Sequence, residues 1–301
     1  MVIYDDNDNK PCGEDFIIRV DGRNVAVQAA AQKANCVPVI VSYGSGRRLF
    51  ERDVASADAR GLWLLGYDRP GLGRSDPHPG RTVADCAADV RAIAQQFGFE
   101  KFAVFGTSGG STYALACASV LADQVLACSV FGAMVPADTP EVDTDSTLSD
   151  EILEYEALRS NAEGREVFRD YVTLVNTRYS VAENWLERWG TRAEVDAAHD
   201  RKRAEFLAAC HRDALESGGE GEWEDFQARS RPWGFEFGAI KCPVQIWHGS
   251  ADKHVDKKHS EWLSTVIPDA DLRITEGQDH TNIVELNRDA AFAWLASICS
   301  R

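Results

Sequence analysis

The chain has 301 residues, enough for one large domain or two modest ones, and its 44% apolar and 27% charged residues are ordinary for a globular protein. Its formal net charge of −16 would repel nucleic-acid phosphates and anionic membrane surfaces, so we expect neither nucleic acid nor a membrane as a partner. No run approaches the roughly 18–20 apolar residues of a membrane span, and residues 1–10 lack the basic and apolar regions of a signal peptide.

The chain has eight cysteines, and their placement predicts free thiols. None forms a Cys-x-x-Cys pair, no Cys/His spacing resembles a zinc site, and most lie inside apolar runs. Because free cysteine behaves as a small hydrophobic residue, we expect buried thiols in a reducing cytoplasm and no bound metal.

The first 130 residues alternate between short apolar runs and helical patterns. Asp21 and Gly22 separate the first two runs and predict a tight hairpin turn. The clearest helical pattern covers Thr82–Phe97, where Thr82 is the expected N-terminal cap and Gly98 is expected to end the helix. Strands alternating with helices predict parallel crossovers, and continuous apolar runs indicate strands covered on both faces. The predicted strands are Phe16–Val20, Asn24–Ala30, Val37–Val41, Leu62–Tyr67, Phe102–Phe105 and Val125–Phe131, and the helices are Leu49–Arg60, Thr82–Phe97 and Ser111–Leu121.

The pattern changes after Pro136, because residues 138–238 contain helical signals but no convincing strand. Two capping-box patterns begin at Ser180 and Thr191, and Ser217–Gly221 reads as a helix-ending loop. A helical insertion in such a sheet is typical of a cap over the carboxyl edge, where open α/β sheets bind ligands. We therefore predict a core domain of residues 1–137 and 239–301 and a helical cap of residues 138–238. The predicted elements after the insertion are strands Val244–Trp247 and Asp271–Thr275 and helices His259–Val266 and Asp289–Ile298.

A glycine-rich turn lies between a predicted strand and a predicted helix. Its sequence, Gly106-Thr-Ser108-Gly-Gly110, fits Gly-x-Ser-x-Gly in the strand–turn–helix context that this motif requires. A serine on so sharp a turn has strained backbone angles, and the flanking glycines leave room for it. A plain strand–helix junction is the alternative, whereas a phosphate-binding loop would need a lysine before its Ser or Thr, and the dinucleotide pattern Gly-x-Gly-x-x-Gly does not fit. The motif predicts Ser108 as a nucleophile, with the helix dipole directed at a developing oxyanion.

His280 is the candidate base, since a serine nucleophile needs one at neutral pH. It follows the last predicted strand, on a loop at the carboxyl edge of the sheet. The other histidines suit other places: His199 and His211 a charged cap surface, His78 a proline-rich turn, and His254 and His259 the protein surface.

Asp252 is the candidate acid, whose role is to bond the second imidazole nitrogen and fix the tautomer. The order Ser108, Asp252, His280 along the chain is the one that enzymes with this serine motif use. Asp138, after the preceding strand, is the alternative. Other aspartates are expected elsewhere: Asp279 pointing away from the imidazole, and Asp68 and Asp76 bracing the Pro-Gly turn.

Four motifs, in this order, resemble the α/β-hydrolase superfamily over nearly the whole chain: Tyr67–Asp76, Gly106–Gly110, His248–Asp252 and Gly277–His280. The chain looks most similar to capped serine esterases and prolyl-aminopeptidase-like members. The resemblance implies the α/β-hydrolase fold, a mostly parallel central sheet flanked by helices, with a helical cap inserted after the sixth strand.

One motif departs from the family pattern. Members usually have His-Gly-x-Pro-Gly after the third strand, where the backbone helps to form the oxyanion hole, and this chain has Tyr43-Gly-Ser-Gly instead. The resemblance implies an oxyanion hole made by the N–H groups of Ser45 and Gly109. Arg47 and Arg48 are candidates for binding a substrate carboxylate, with solvated loop arginines as the alternative. Tyr43 is a further candidate for substrate contact.

Together these residues predict a two-step acyl transfer on a small-molecule ester, lactone or amide, with no cofactor. The alternatives on the same triad are a prolyl-type aminopeptidase, an acyltransferase or cyclase, and a lyase, and a further alternative is a member that binds a ligand without turning it over. Cap glutamates that would hold a free amino terminus are Glu154, Glu156 and Glu183. The predicted cap also contains four tryptophans, Trp185, Trp189, Trp223 and Trp233. Of these, Trp185 and Trp189 are the candidates for substrate contact.

Overall fold

The computed structural model describes residues 12–44, 46–136, 138–142, 166, 207 and 209–300, and its strands form one sheet in the order β1-β2-β4-β3-β5-β6-β7-β8. The strands are β1 (Glu14–Val20), β2 (Arg23–Ala29), β3 (Val37–Ser42), β4 (Leu62–Tyr67), β5 (Phe102–Thr107), β6 (Val125–Phe131), β7 (Val244–Gly249) and β8 (Ala270–Thr275). The helices are α1 (Glu51–Asp58), α2 (Cys86–Phe97), α3 (Gly109–Val120), α4 (Glu220–Arg229), α5 (Lys258–Val266) and α6 (Asn282–Cys299), with a 3-10 turn at Phe237–Ala239.

The sheet is antiparallel at one edge and parallel across its centre. β1 pairs with β2 and β2 with β4 in antiparallel fashion, and the remaining neighbours pair in parallel. The predicted hairpin is confirmed, because Asp21 and Gly22 have φ angles of 49° and 84°, the positive values that a tight two-residue turn requires. The mostly parallel sheet predicted from the sequence is confirmed as well.

Helices cover the sheet and enclose an aromatic core beneath its carboxyl edge. α2 packs against α3 and α1 against α6, and both pairs contact the sheet. The rings of Phe105 and Phe131 lie 5.4 Å apart, Phe131 stacks on Trp247, and Phe292 of α6 lies 5.0 Å from Phe105. Because these rings join β5, β6, β7 and α6, they fix the strands from which the loops of the site leave.

Two helix starts differ from the predictions by more than two residues, and each time an aspartate is the reason. α2 begins at Cys86, because the carboxylate of Asp85 accepts hydrogen bonds from the N–H and hydroxyl of Thr82 and holds this residue in the preceding turn. Thr82 as the cap is therefore wrong, whereas Gly98 ends the helix with a φ of 74°, as predicted. α6 begins earlier than predicted, because Asp279 accepts hydrogen bonds from the N–H groups that follow it.

The segment predicted as a helix-ending loop is part loop and part helix. Gly221 lies in the first turn of α4, where a Cβ would overlap the carbonyl oxygen of Gly71. This close backbone contact joins α4 to the turn after β4, and a glycine is needed at both positions.

Residues 143–165, 167–206 and 208, which are most of the predicted cap, lie outside the described residues. The eight cysteines are free thiols, as predicted. In the described part of the chain, no helix is long and apolar enough to cross a membrane, and no group of His, Cys, Asp or Glu side chains could hold a metal ion. The buried cysteines are Cys86, Cys117, Cys128, Cys210 and Cys242, and the half-buried ones are Cys12, Cys36 and Cys299.

Candidate active site

The register of the sheet brings three loops to one edge. Thr107 at the end of β5 pairs with Phe131 at the end of β6, which pairs with Trp247 of β7. Gly249 at the end of β7 pairs with Thr275 at the end of β8. Because these parallel strands all end at the same edge, the segments that follow β5, β7 and β8 leave the sheet side by side.

Ser108 lies on a strained turn between β5 and α3. Its φ of 52° and ψ of −130° are rare for a residue with a side chain, and its N–H donates a 2.8 Å hydrogen bond to the carbonyl of Phe131. A Cβ on Gly106 would lie 2.9 Å from the carbonyl oxygen of Gly110, and a Cβ on Gly110 would overlap the carbonyl oxygen of Ser42. The two glycines therefore allow the turn, and the second also lets α3 approach β3.

The structure brings Ser108, His280 and Asp252 into one hydrogen-bonded line. Nε2 of His280 lies 2.8 Å from Oγ of Ser108, and its Nδ1 lies 2.7 Å from Oδ2 of Asp252. An ionised carboxylate can only accept, so Nδ1 carries the proton of the neutral imidazole, and Nε2 accepts from the serine hydroxyl. The alternative acid, Asp138, is exposed.

The carboxylate of Asp252 is buried and held by backbone donors. Its Oδ1 accepts hydrogen bonds from the N–H groups of His254, at 2.8 Å, and Val255, at 3.0 Å. Burial alone would raise the pKa of Asp252, but the charge of His280 and these hydrogen bonds leave it below its usual value. Asp252 therefore stays ionised and leaves Oδ2 for the imidazole.

Burial also shifts the pKa of His280, but it lowers this pKa, whereas it raises that of Asp252. It lowers the pKa of the imidazole, but the charge of Asp252 and the hydrogen bond to it outweigh burial and hold this pKa above its usual value. The imidazolium form is thus stabilised at the place where a proton taken from Ser108 would arrive.

Gly132, just after β6, makes room for the His280 ring. It has a φ of 56°, and a Cβ there would lie 2.9 Å from Cε1 and 3.1 Å from Nδ1 of His280. No sequence motif marked this residue as part of the site. The available signal was a glycine directly after a buried strand, at the edge where the loops converge.

Two other histidines lie near this site. The surface position predicted for His259 is wrong, because its side chain is buried and its Nδ1 accepts a 3.1 Å hydrogen bond from the N–H of Val135. Burial, helped by the charge of His248, lowers the pKa of His259 to about 4, so this ring stays neutral. His254 is half-buried, with its ring 5.4 Å from that of His280.

One of the two candidate oxyanion donors, Gly109, directly follows Ser108. Gly109 is the first residue of α3, so its N–H has no partner within the helix and points from the positive end of the helix dipole. Ser45 lies outside the described residues. The residue before it, Gly44, is close to Ser108, since a Cβ there would lie 3.9 Å from Cβ of Ser108.

Tyr43 does not occupy the place of a substrate-binding side chain. Its side chain is buried, its ring lies 5.4 Å from that of Phe50, and its hydroxyl donates to Asp53. Asp53 is in turn paired with the buried Arg288 at 2.7 Å. The prediction of substrate contact is therefore corrected: this tyrosine anchors the loop to the core.

The same correction applies to the two arginines after it. Arg47 is buried between Asp68 and Asp15, with ion pairs of 2.7 and 2.9 Å, and Arg48 pairs with Asp213. The guanidinium of Arg47 is therefore not left for a substrate carboxylate, and it is not solvated either. Arg48 is half-buried, and its ion pair holds it to Asp213. Asp68 braces the turn after β4, as predicted, because it also accepts from the N–H groups at positions 47 and 74.

A buried ionic cluster joins α4 to the loop beside Ser108. Asp225 of α4 accepts hydrogen bonds from Arg69 at 2.9 and 3.2 Å, from Arg81 at 2.8 Å and from the hydroxyl of Tyr113 at 2.7 Å. Arg69 also donates to the carbonyls of residues 43 and 44, at 2.7 and 3.1 Å. The charges of the arginines overcome the effect of burial and hold the pKa of Asp225 well below its usual range. No motif identified this cluster from the sequence.

Several candidates from the sequence lie outside the described residues. Trp223 and Trp233 are described, and they pack near α4: Trp223 stacks on Phe226, and the indole N–H of the buried Trp233 donates to the carbonyl of Arg229 at 2.8 Å. The candidates that lie outside are Glu154, Glu156, Glu183, Trp185, Trp189 and His199, together with the capping boxes at Ser180 and Thr191.

Comparison with known proteins gives one family and several solved structures that share one fold. A family model described as the alpha/beta hydrolase fold matches residues 42–285. An esterase from Thermogutta terrifontis with malate bound is 18% identical, with a TM-score of 0.65 over 95% of this chain and 99% of that chain. The enol-lactonase from Burkholderia xenovorans LB400 is 17% identical, with a TM-score of 0.63 over 95% and 100%. A carboxylesterase from Bacillus subtilis is 17% identical, with a TM-score of 0.61 over 96% and 92%. A comparison with curated proteins finds no sequence match.

Proposed function

Because the chain belongs to the alpha/beta hydrolase fold family, we propose that it is a serine hydrolase that cleaves an ester or lactone bond of a small organic substrate. The observation that carries the proposal is the position of His280, within hydrogen-bonding distance of both Ser108 and Asp252. Esterases and an enol-lactonase among the proteins of the same fold are consistent with this reaction class.

In the first half of the proposed reaction, the imidazole of His280 takes the proton of the Ser108 hydroxyl while the oxygen attacks the substrate carbonyl. Asp252 stabilises the imidazolium that results. The imidazolium then gives its proton to the leaving alcohol, and an acyl-enzyme remains on Ser108. In the second half, His280 takes a proton from water, the hydroxide attacks the acyl carbonyl, and the acid is released with Ser108 restored.

The negative charge that develops on the carbonyl oxygen needs donors in place before the reaction. We assign this role to the N–H of Gly109, at the start of α3, and to the N–H of Ser45 as the second donor. Loss of one such donor typically costs roughly 10²–10³ in rate. Arg69 supports this arrangement, since it holds the carbonyls of Tyr43 and Gly44, the two residues before the second donor.

We also propose that residues 138–238 form a cap on a core domain of residues 1–137 and 239–301. The contacts of α4 support this division, because Asp225 bonds to core arginines and Gly221 lies against Gly71 at the carboxyl edge of the sheet. A cap in this position would exclude water from the site and shape the substrate pocket, with Trp185 and Trp189 as candidates for substrate contact.

A fluorophosphonate probe tests the reaction class. The wild-type protein should be labelled on Ser108, Ser108→Ala should not be labelled, and a control substitution in α5, Ser264→Ala, should be labelled like wild type. Equal labelling of wild type and Ser108→Ala would refute the proposal.

A substrate panel then tests the reaction. Release of acid from esters or lactones supports the proposal, whereas preference for aminoacyl amides would favour an aminopeptidase. Transfer of the acyl group to an added alcohol or amine in preference to water would favour an acyltransferase, and labelling with no turnover of any substrate would favour a ligand-binding member.

A further inference from the structure

A guanidinium group lies directly beside the nucleophile turn. Arg229 is the last residue of α4, and its Nη1 and Cζ lie 3.4 and 3.7 Å from the position that a Cβ of Gly109 would occupy. Gly109 follows Ser108 and begins α3. Because residue 109 has no side chain, the guanidinium approaches the turn closely, and a longer side chain at that position would displace it.

The positive charge of Arg229 is not balanced by the ionic cluster behind it. The carboxylate of Asp225 already accepts hydrogen bonds from two buried arginines, Arg69 and Arg81. Arg229 approaches the same carboxylate only to 3.5 Å, and among the described residues its buried Nε has no hydrogen-bond partner. Burial, with the charge of Asp225, raises the pKa of the neighbouring Glu222 above its usual value. Arg69, Arg81 and Arg229 thus surround the carboxylate of Asp225, and the cluster keeps a net positive charge even with Asp225 and Glu222 both ionised.

The α4 side of the site is therefore cationic in a protein whose formal net charge is −16. The side chain of Arg229 is 24% exposed, so a ligand can reach it. A planar guanidinium with free N–H groups matches the two oxygens of a carboxylate, and a positive field at the reacting carbonyl would repel a substrate with a free ammonium group.

We propose that Arg229 binds a carboxylate of the substrate while Ser108 attacks the ester or lactone carbonyl, so that the preferred substrates are esters or lactones that carry a second, free acid group. This inference rests on the serine hydrolase function proposed above and names its substrate class. It also disfavours the aminopeptidase alternative, since that reaction needs a negative group for the substrate amino terminus.

A matched pair of substrates tests the inference. Mono-p-nitrophenyl glutarate carries a free carboxylate, and methyl p-nitrophenyl glutarate has the same chain without the charge. In wild type, kcat/KM should be at least about tenfold higher for the anionic ester, and Arg229→Gln should lower this preference by roughly 10- to 100-fold, mainly through KM. Arg229→Lys should keep part of the preference, because it retains the charge and loses the planar fork.

The control is Arg231→Gln, two residues further along, where an exposed arginine bonds only to Gln227 among the described residues, at 3.1 Å. It should leave the preference unchanged. A wild type that prefers the neutral ester, or a preference that stays within twofold in Arg229→Gln, would overturn the inference. If Arg229→Gln does not fold, Arg229→Met, which also removes the charge and keeps an extended side chain, is held to the same twofold criterion.

The two proposals fail differently. If the fluorophosphonate labels Ser108 and the neutral ester is hydrolysed, but the ratio does not respond to position 229, only the carboxylate site is refuted. If neither ester is hydrolysed and Ser108 is not labelled, the hydrolase function itself is refuted.

Discussion

Gly132→Ala should separate catalysis from stability, because its one added methyl group meets the His280 ring. The new Cβ would lie 2.9 Å from Cε1, whereas carbon atoms in contact are usually about 3.5–4.0 Å apart. Relief of this overlap requires the ring to move by roughly 0.6–1 Å. A shift of this size directed away from Ser108 would lengthen the 2.8 Å contact to about 3.4–3.8 Å, which weakens or breaks the hydrogen bond.

A misplacement of about 1 Å costs roughly 10²-fold in rate, so we expect kcat/KM for a neutral p-nitrophenyl ester to fall by about that factor. The free energy of unfolding should fall less, by about 1–2 kcal/mol, which is the cost of a positive φ for alanine. Ester hydrolysis and urea unfolding measure the two quantities on the same sample.

Gly61→Ala is the matched control. Gly61 has a φ of 69°, close to the 56° of Gly132, and nothing lies within 4 Å of its added Cβ. The control should lose a similar free energy of unfolding and keep its activity. If Gly132→Ala retained kcat/KM within about threefold of wild type, or if both variants lost activity equally, the proposed packing of His280 against position 132 would be refuted.

Three further predictions concern the charges and anchors around the site. The base must be neutral to act and the pKa of His280 is raised, so kcat/KM should increase with pH, with the midpoint of the increase above pH 6.5. Asp252→Asn should move this midpoint to lower pH, and a midpoint that does not move would contradict the proposed pairing. Asp225→Asn leaves two buried arginines without their counter-charge, and urea unfolding should show a loss of about 3–5 kcal/mol, whereas a loss below about 1 kcal/mol would refute the structural role of the cluster. Tyr43→Phe removes a buried hydrogen bond and should cost about 1–2 kcal/mol with KM unchanged; a raised KM would restore the side chain as a substrate contact.

Local sequence patterns were enough to predict which segments of the core form strands and which form helices. The limits of β4 and β6 agree with the predicted strands, because a run of apolar residues between turns permits little else in a sheet covered on both faces. The nucleophile turn was recognisable for a similar reason, since Gly106 and Gly110 are needed by the backbone itself. Helix starts were harder, because the aspartates at positions 85 and 279 act through side-chain bonds to backbone N–H groups that periodicity does not reveal.

The order of the elements along the chain also determined which loops could meet, since parallel strands end at one edge of a sheet. The sequence alone therefore pointed to Ser108, Asp252 and His280. Only the tertiary structure decided what lies around them. Gly132 beside the imidazole and Arg229 beside Gly109 are distant in sequence from the groups they contact, and no local pattern marks them. An arginine in a sequence is expected to have a negative partner, but the sequence does not show which one. Only the tertiary structure pairs Arg47 with buried aspartates and places the guanidinium of Arg229 beside Gly109.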